Sequence, residues 1–383
     1  MKPMKQGLLS VLACLPVLAA LAPAASAQRE APAGDRTSMQ VVTPEQTAAV
    51  ERGLAWLAAR QQADGSWIAK IGYKLNDEYR YTAADRGHLG VTALACMAFL
   101  AGGHLPGRGQ YGKEVEKGLE FVLSCVQDDG YITYSGSRMY DHAFATLFLA
   151  EVCGMTHRED VQKKLQKAVD FIVQSQNDDG GWRYEPYAKE SDMSIVVCQV
   201  VALRAARNIG IRVPKKTVDR AARYVVDSAV TSESQLMPRY MQPGGGNELG
   251  TFRYQKDTHS RTSFPLTAAG VTALHGLGIY SDELIKKGLD YLSSDLASFD
   301  NDPRSAVGHY YFWYGHYYGV QAMYTAGSPY WEPYFEQLRT LLLRMQKSDG
   351  SWPNEVGPGP EFGTAMAVLI LEIPYRFLPI FQR

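Results

Sequence analysis

Three segments of the chain share one spelling: Gln61-Gln62-Ala63-Asp64-Gly65-Ser66-Trp67, Gln176-Asn177-Asp178-Asp179-Gly180-Gly181-Trp182 and Gln346-Lys347-Ser348-Asp349-Gly350-Ser351-Trp352. Each reads Gln-x-x-x-Gly-x-Trp and follows an amphipathic helical pattern. Three matches in one local context signify a repeat architecture, which constrains every other fold assignment. The chemistry of the unit is that of a structural clamp. Gln at a helix end can bond the unpaired last carbonyls. Asp-Gly gives a tight turn with Gly free to take positive φ. Trp packs back on the helix pair, with an N–H for a carbonyl or the Gln.

Weaker copies fill the gaps. Gly130-Tyr131-Ile132-Thr133-Tyr134 follows Gln127-Asp128-Asp129, and Gly250-Thr251-Phe252-Arg253-Tyr254 resembles Gly180-Gly181-Trp182-Arg183-Tyr184. A further turn is expected near Phe299-Asp300-Asn301-Asp302-Pro303, which makes six units. A charged amphipathic helix precedes each turn: Thr47–Gln61, Gly112–Gln127, Arg158–Gln176, Pro214–Ala229, Ser281–Asp295 and Pro329–Gln346. A more apolar helix follows each: Gly87–Ala101, Asp141–Gly154, Asp192–Gly210, Leu266–Gly278, Phe312–Gly327 and Glu361–Ile373. A helix apolar all round is buried, whereas an amphipathic one faces water on one side. The pattern therefore predicts an all-α (α/α)6 toroid, with the apolar helices as an inner barrel and the amphipathic ones as an outer ring. No strand pattern competes. The long irregular segment Thr231–Ser263, with Gly244-Gly245-Gly246, is either a lid over one end of the barrel or an exposed insertion.

Residues Met1–Ala27 read as a secretory signal: Lys2 and Lys5, the apolar run Leu8–Leu21, then Ala25-Ser26-Ala27 at the cleavage site. Gln28–Val42 reads as a flexible leader, and 43–383 as one toroid domain. The expected location is thus periplasmic or extracellular. The formal net charge is −1, and loss of Lys2 and Lys5 would make it more negative, so nothing argues for nucleic-acid binding. No later stretch is apolar for long enough to span a membrane. The helix map places Cys96, Cys125, Cys153 and Cys198 where they do not pair, so free thiols are expected. Nothing in the sequence fixes an oligomeric state.

These repeats, over about Thr43 to Arg383, resemble the prenyltransferase and squalene-oxidase repeat superfamily, which includes squalene–hopene cyclases and the β subunits of protein prenyltransferases. Phe312-Trp313-Tyr314-Gly315-His316-Tyr317-Tyr318-Gly319 and the C-terminal Leu378-Pro379-Ile380-Phe381 look like an exported, single-domain bacterial branch of it. The resemblance implies an α/α toroid and an apolar or isoprenoid guest. It does not carry the cyclase chemistry across. Those cyclases protonate an alkene with the middle acid of Asp-x-Asp-Asp-Thr-Ala. The counterpart here is Lys189-Glu190-Ser191-Asp192-Met193-Ser194, where only Asp192 matches and the donor's position is Ser191. The zinc-binding Asp-x-Cys of protein prenyltransferases is absent, as is the Gly-Cys-Gly-Glu-Gln of thioester domains. No metal or cofactor is expected.

All inner helices should start at one rim, made electropositive by their dipoles. Asp85, Asp141, Asp192 and Glu361 stand at those starts, with His88 and His142 beside two of them. They are either helix caps or a ring of carboxylates around a cavity mouth, with Asp141, His142 and Asp192 as catalytic candidates. The run His309–Tyr318 is strongly aromatic. Tyr140, His309, Trp313, Tyr314, His316, Tyr317 and Tyr318 are the candidate ligand-binding residues, although such rings could equally plug the barrel. Two functions stay open: an exported protein that binds, or transforms, an apolar molecule, and a polysaccharide-acting enzyme or interaction scaffold on the same toroid.

Overall fold

The computed structural model describes residues 42–72, 81–232, 248–257, 260–297, 311–354 and 358–381. The signal, the leader up to residue 41, His309, the expected turn at Phe299–Pro303, and 233–247 and 258–259 of the Thr231–Ser263 segment lie outside the described residues. Contacts divide the chain into Met1–Arg36 and Thr37–Arg383, and the second unit holds every described residue.

The described residues form twelve α-helices: α1 Pro44–Arg60, α2 Leu89–Ala101, α3 Gly112–Ser124, α4 Met139–Met155, α5 Glu159–Gln174, α6 Met193–Asn208, α7 Lys215–Asp227, α8 Phe264–Gly276, α9 Glu283–Ala297, α10 Phe312–Ala326, α11 Trp331–Met345 and α12 Pro360–Glu372. The even-numbered helices close a ring. α2 packs on α4, α4 on α6, α6 on α8, α8 on α10, α10 on α12, and α12 returns to α2. The odd-numbered helices lie outside that barrel. α1 packs on α12, α3 on α2, α5 on α4, and α7 on both α6 and α8. The difference follows from sequence. Every residue of α2 is buried, whereas α5 buries only Val161, Leu165, Ala168, Val169, Phe171 and Ile172. One antiparallel ribbon interrupts the helical pattern, β1 (Ile71–Gly72) against β2 (Tyr81–Ala83), inside the first repeat's connection.

The motif turns explain how the repeats are joined. The indole N–H groups of Trp67, Trp182 and Trp352 donate to Leu57 O, Ile172 O and Leu342 O, each at 2.8 Å. All three rings are buried. The glutamine differs from expectation. Gln61 Nε2 donates to Gly65 O within the turn and to Glu114 O on the next outer helix, at 3.0 and 2.7 Å. Gln176 does the same to Gly180 O and Thr217 O, and Gln346 to Gly350 O and Ala49 O. The Gln side chain thus ties neighbouring repeats together and does not bond the last carbonyls of its own helix. The turn glycine permits this approach. At Gly65, with φ +90°, a Cβ would stand 2.2 Å from Lys117 O.

Candidate functional site

The N-terminal rim of the barrel is built around Asp192, the N-cap of α6 and fully buried. Its Oδ1 accepts from the Ser194 hydroxyl at 2.5 Å and from Ile195 N–H at 3.2 Å. Its Oδ2 accepts from the Tyr254 hydroxyl at 3.3 Å, with Arg183 Nε at 4.0 Å. Burial pushes the Asp192 carboxyl up to about 6, against the donors from Ser194 and Ile195 and the Arg183 charge. The network continues outward. Tyr140 donates to Ser194 Oγ at 2.7 Å, and the Tyr184 and Tyr254 hydroxyls bond each other at 2.7 Å. Tyr140, Tyr184 and Tyr254 are only partly buried, so their rings form a collar at the rim.

Asp141, in the first turn of α4, is buried with its Oδ2 3.4 Å from His88 Nδ1. Burial raises its carboxyl, while His88, the Gly90 N–H and Ser137 act in the opposite sense. Gly90 leaves just enough room, since a Cβ there would meet Asp141 Oδ1 at 2.5 Å.

Below the collar, rings from α10 cross the barrel axis. Tyr314 donates to Ser194 O of α6 at 2.9 Å and meets the Tyr140 ring edge-on, with centroids 6.4 Å apart. Tyr317 meets Phe144 of α4, the helix opposite in the ring, at 6.3 Å. The Tyr318 hydroxyl lies 3.1 Å from Cys198 Sγ of α6. These tyrosines bridge facing helices inside the barrel. The four cysteines from Cys96 to Cys198 are unpaired, and Cys153 is partly exposed.

Three candidates lie elsewhere. His142 faces outward: its Nδ1 accepts Ile132 N–H at 3.0 Å, and its ring packs edge-on against Phe171 of α5. Burial lowers it to about 3, so it stays neutral. It serves the second repeat's turn as Thr92 serves the first, by accepting the N–H at the Trp position. His316 bonds the Tyr334 hydroxyl of α11 at 3.0 Å, on the outer side of the barrel. Trp313 donates to Pro353 O, in the sixth turn. The helix rotation of α10 contributes, since 314 and 318, one turn apart, share a face and 316 points the opposite way, with 313 and 317 between. Of the remaining rim acids, Glu361 pairs with Arg60 of α1 at 2.7 Å, and Asp85 is exposed.

Ser191, at the position of the cyclase proton donor, bonds Asn177 Oδ1 at 2.9 Å and belongs to the third turn. Sequence reasoning missed Ser194, Tyr184, Tyr254 and Cys198. The repeated Arg-Tyr after the Trp position, at Arg183-Tyr184 and Arg253-Tyr254, was the available signal for two of them. Among the described residues no group of three His, Cys, Asp or Glu is placed to hold a metal ion, and no helix is long and apolar enough to cross a membrane.

A closed ring of six inner helices jacketed by outer ones defines an α/α toroid. Within that class the chain belongs to the prenyltransferase α/α-toroid domain family, whose model matches residues 36–245. A probable squalene–hopene cyclase of Sinorhizobium fredii is 27% identical over 172 residues, a span covering 42% of this chain and 25% of the relative's length. Solved structures show the same fold. A GH76A α-1,6-mannanase from a Salegentibacter species aligns at TM-score 0.60 and 10% identity, over 87% of this chain and 99% of its own. A variant of the type II terpene cyclase MstE from Scytonema, in complex with geranylgeranyl dihydroxybenzoate, aligns at 0.57 and 14% identity, over 87% and 98%. Cellobiose 2-epimerase from Bacillus thermoamylovorans aligns at 0.57 and 12%, over 87% and 98%. At these identities the likeness establishes the fold.

Proposed function

We propose that this protein binds an apolar, isoprenoid-class molecule at the tyrosine collar, and that it acts outside the cytoplasm after loss of its N-terminal signal. One observation carries the reading. The polar atoms around Asp192 bond one another: Asp192 with Ser194 and Tyr254, Ser194 with Tyr140, and Tyr254 with Tyr184. What is left for a guest is aromatic surface, which suits an apolar chain. A polysaccharide hydrolase needs two carboxyl groups free to face the sugar. Here both Asp192 oxygens are occupied, and Asp141 lies against His88. Membership of a family that includes terpene cyclases supports the same direction.

Squalene cyclisation is not part of the proposal, because Ser191 cannot protonate an alkene. Purified protein incubated with squalene should yield no cyclic triterpene by gas chromatography. Turnover would mean that Asp192 or Glu190 donates the proton. The binding itself is tested by mass spectrometry of lipophilic molecules carried through native purification. An isoprenoid retained by the parent, and lost when Tyr140 and Tyr184 are both changed to Ala, is the expected result. Binding of α-1,6-linked mannooligosaccharide with no apolar cargo would overturn the reading in favour of a polysaccharide-acting protein.

A further inference from the structure

The opposite rim holds the C-terminal ends of the inner helices. The end of the chain covers part of it. Phe377 lies over Gly103 after α2, Ile380 N–H reaches Glu151 of α4 at 3.4 Å, and Pro379–Phe381 packs on α4 and α6. Next along the ring, between α6, α7 and α8, lies a cavity of about 290 Å3. That is at the lower end of small-ligand sites, roughly 300–1,000 Å3.

Its lining mixes apolar and basic side chains: Leu203 of α6, Val213 just before α7 and Val218 of α7 stand with Arg204, Arg207 and Asn208 of α6. Arg204 is held in place: one N–H donates to His275 O at 2.5 Å, and the guanidinium lies 5.8 Å from the centroid of Tyr280. Arg207, three residues on and so on the same helix face, is exposed and makes no ion pair among the described residues. Among the described residues no carboxylate lines the cavity. His275 adds no charge, since burial and then Arg204 hold it down to about 4. Two arginines at a helix C-terminus would by themselves compensate the dipole. Dipole compensation gives no reason for a cavity with apolar side chains beside them.

We infer that this cavity binds an anionic head on a short aliphatic chain, with the carboxylate or phosphate between Arg204 and Arg207 and the chain along Leu203 and Val218. Guanidinium suits either head through paired N–H donors. This site is distinct from the collar and does not depend on its guest. The test is calorimetric titration with octanoate, with octanol and octyltrimethylammonium as controls, and sedimentation with phosphatidylglycerol or phosphatidylcholine vesicles. Octanoate should bind saturably and octanol and the cation should not. Arg207→Ala should weaken binding by about tenfold or more, as loss of a charge-assisted contact does. Val218→Trp, which fills the cavity, should abolish it, with thermal melts confirming that both variants fold. Octanoate binding without sedimentation assigns the head to a soluble acid. Sedimentation with phosphatidylglycerol alone, lost in both variants, assigns it to a lipid. Absence of saturable binding in both arms, equal binding of octanol, or binding unchanged in both variants would overturn the inference.

Discussion

In four of the described turns the peptide N–H at the Trp position is buried and finds a side-chain acceptor. Thr92, Thr267 and Thr364 accept it from Trp67, Phe252 and Trp352 through their hydroxyls, and His142 accepts it from Ile132 through Nδ1. Thr92, His142 and Thr267 are each the fourth residue of their helix. His142→Thr should therefore keep the bond, whereas His142→Val, of similar shape, leaves the N–H unpaired. The two variants should differ by about 1–3 kcal/mol in urea unfolding, the cost of an unsatisfied buried donor. Equal stability would show that the histidine does not act as the turn's acceptor. The clamp Trp makes a larger contribution: Trp182→Ala should cost about 3–5 kcal/mol, and an unchanged melting temperature would refute it. The equivalence of His142 and Thr92 was present in the sequence, but only an alignment of repeats by helix start reveals it. A histidine beside Asp141 at a rim attracts a catalytic reading because residue lists carry no helix rotation.

Element by element, the helices were legible to within a few residues, since apolar period and end signals set them. Asp192 caps the α6 start with its side chain, one of the two roles expected of it, and Ser263 caps the α8 start, which the sequence reading placed two residues later. What was not legible is which rings of α10 point inward, because a helix buried on all sides carries no amphipathic signal. The same holds for Glu151, which is buried in α4 beneath the C-terminal segment. Burial raises its carboxyl from 4.5 to about 8, against the Ile380 N–H. Between those values the unfolded chain is ionised there and the folded one is not, so the folded state binds the extra proton. Stability from this group is complete below about 4.5 and is lost as pH rises through about 8. Subtracting a Glu151→Gln variant isolates the effect from Asp192, which acts in the same sense. The melting-temperature gap between Gln variant and parent should widen in favour of the variant from pH 5 to pH 8. A gap independent of pH would mean that Glu151 is ionised in the folded protein.

At the scale of the whole molecule, the decisive feature is closure. Gln346 of the last turn donates to Ala49 O of α1, and Gly350 lies against Arg52 O of the same helix. The outer helix that opens the chain thus serves as the neighbour that the sixth turn needs, while α12 packs between α10 and α2. An open solenoid gains stability repeat by repeat and can lose an end without losing the rest. A closed ring has no end to lose. A chain stopped before Trp331 would lack α11 and α12, leaving uncovered the flanks of α1, α2 and α10 that they bury. It should show no cooperative thermal transition and no near-ultraviolet circular dichroism. In the parent, Trp67, Trp182 and Trp352 stand in the first, third and sixth turns, so they report separate parts of the ring. Urea transitions of the parent followed by tryptophan fluorescence, near-ultraviolet and far-ultraviolet circular dichroism should coincide, as a two-state unit requires. Separate midpoints for these probes, or a truncated chain that melts at the parent's temperature, would mean that the repeats fold as a line and that closure adds nothing to stability.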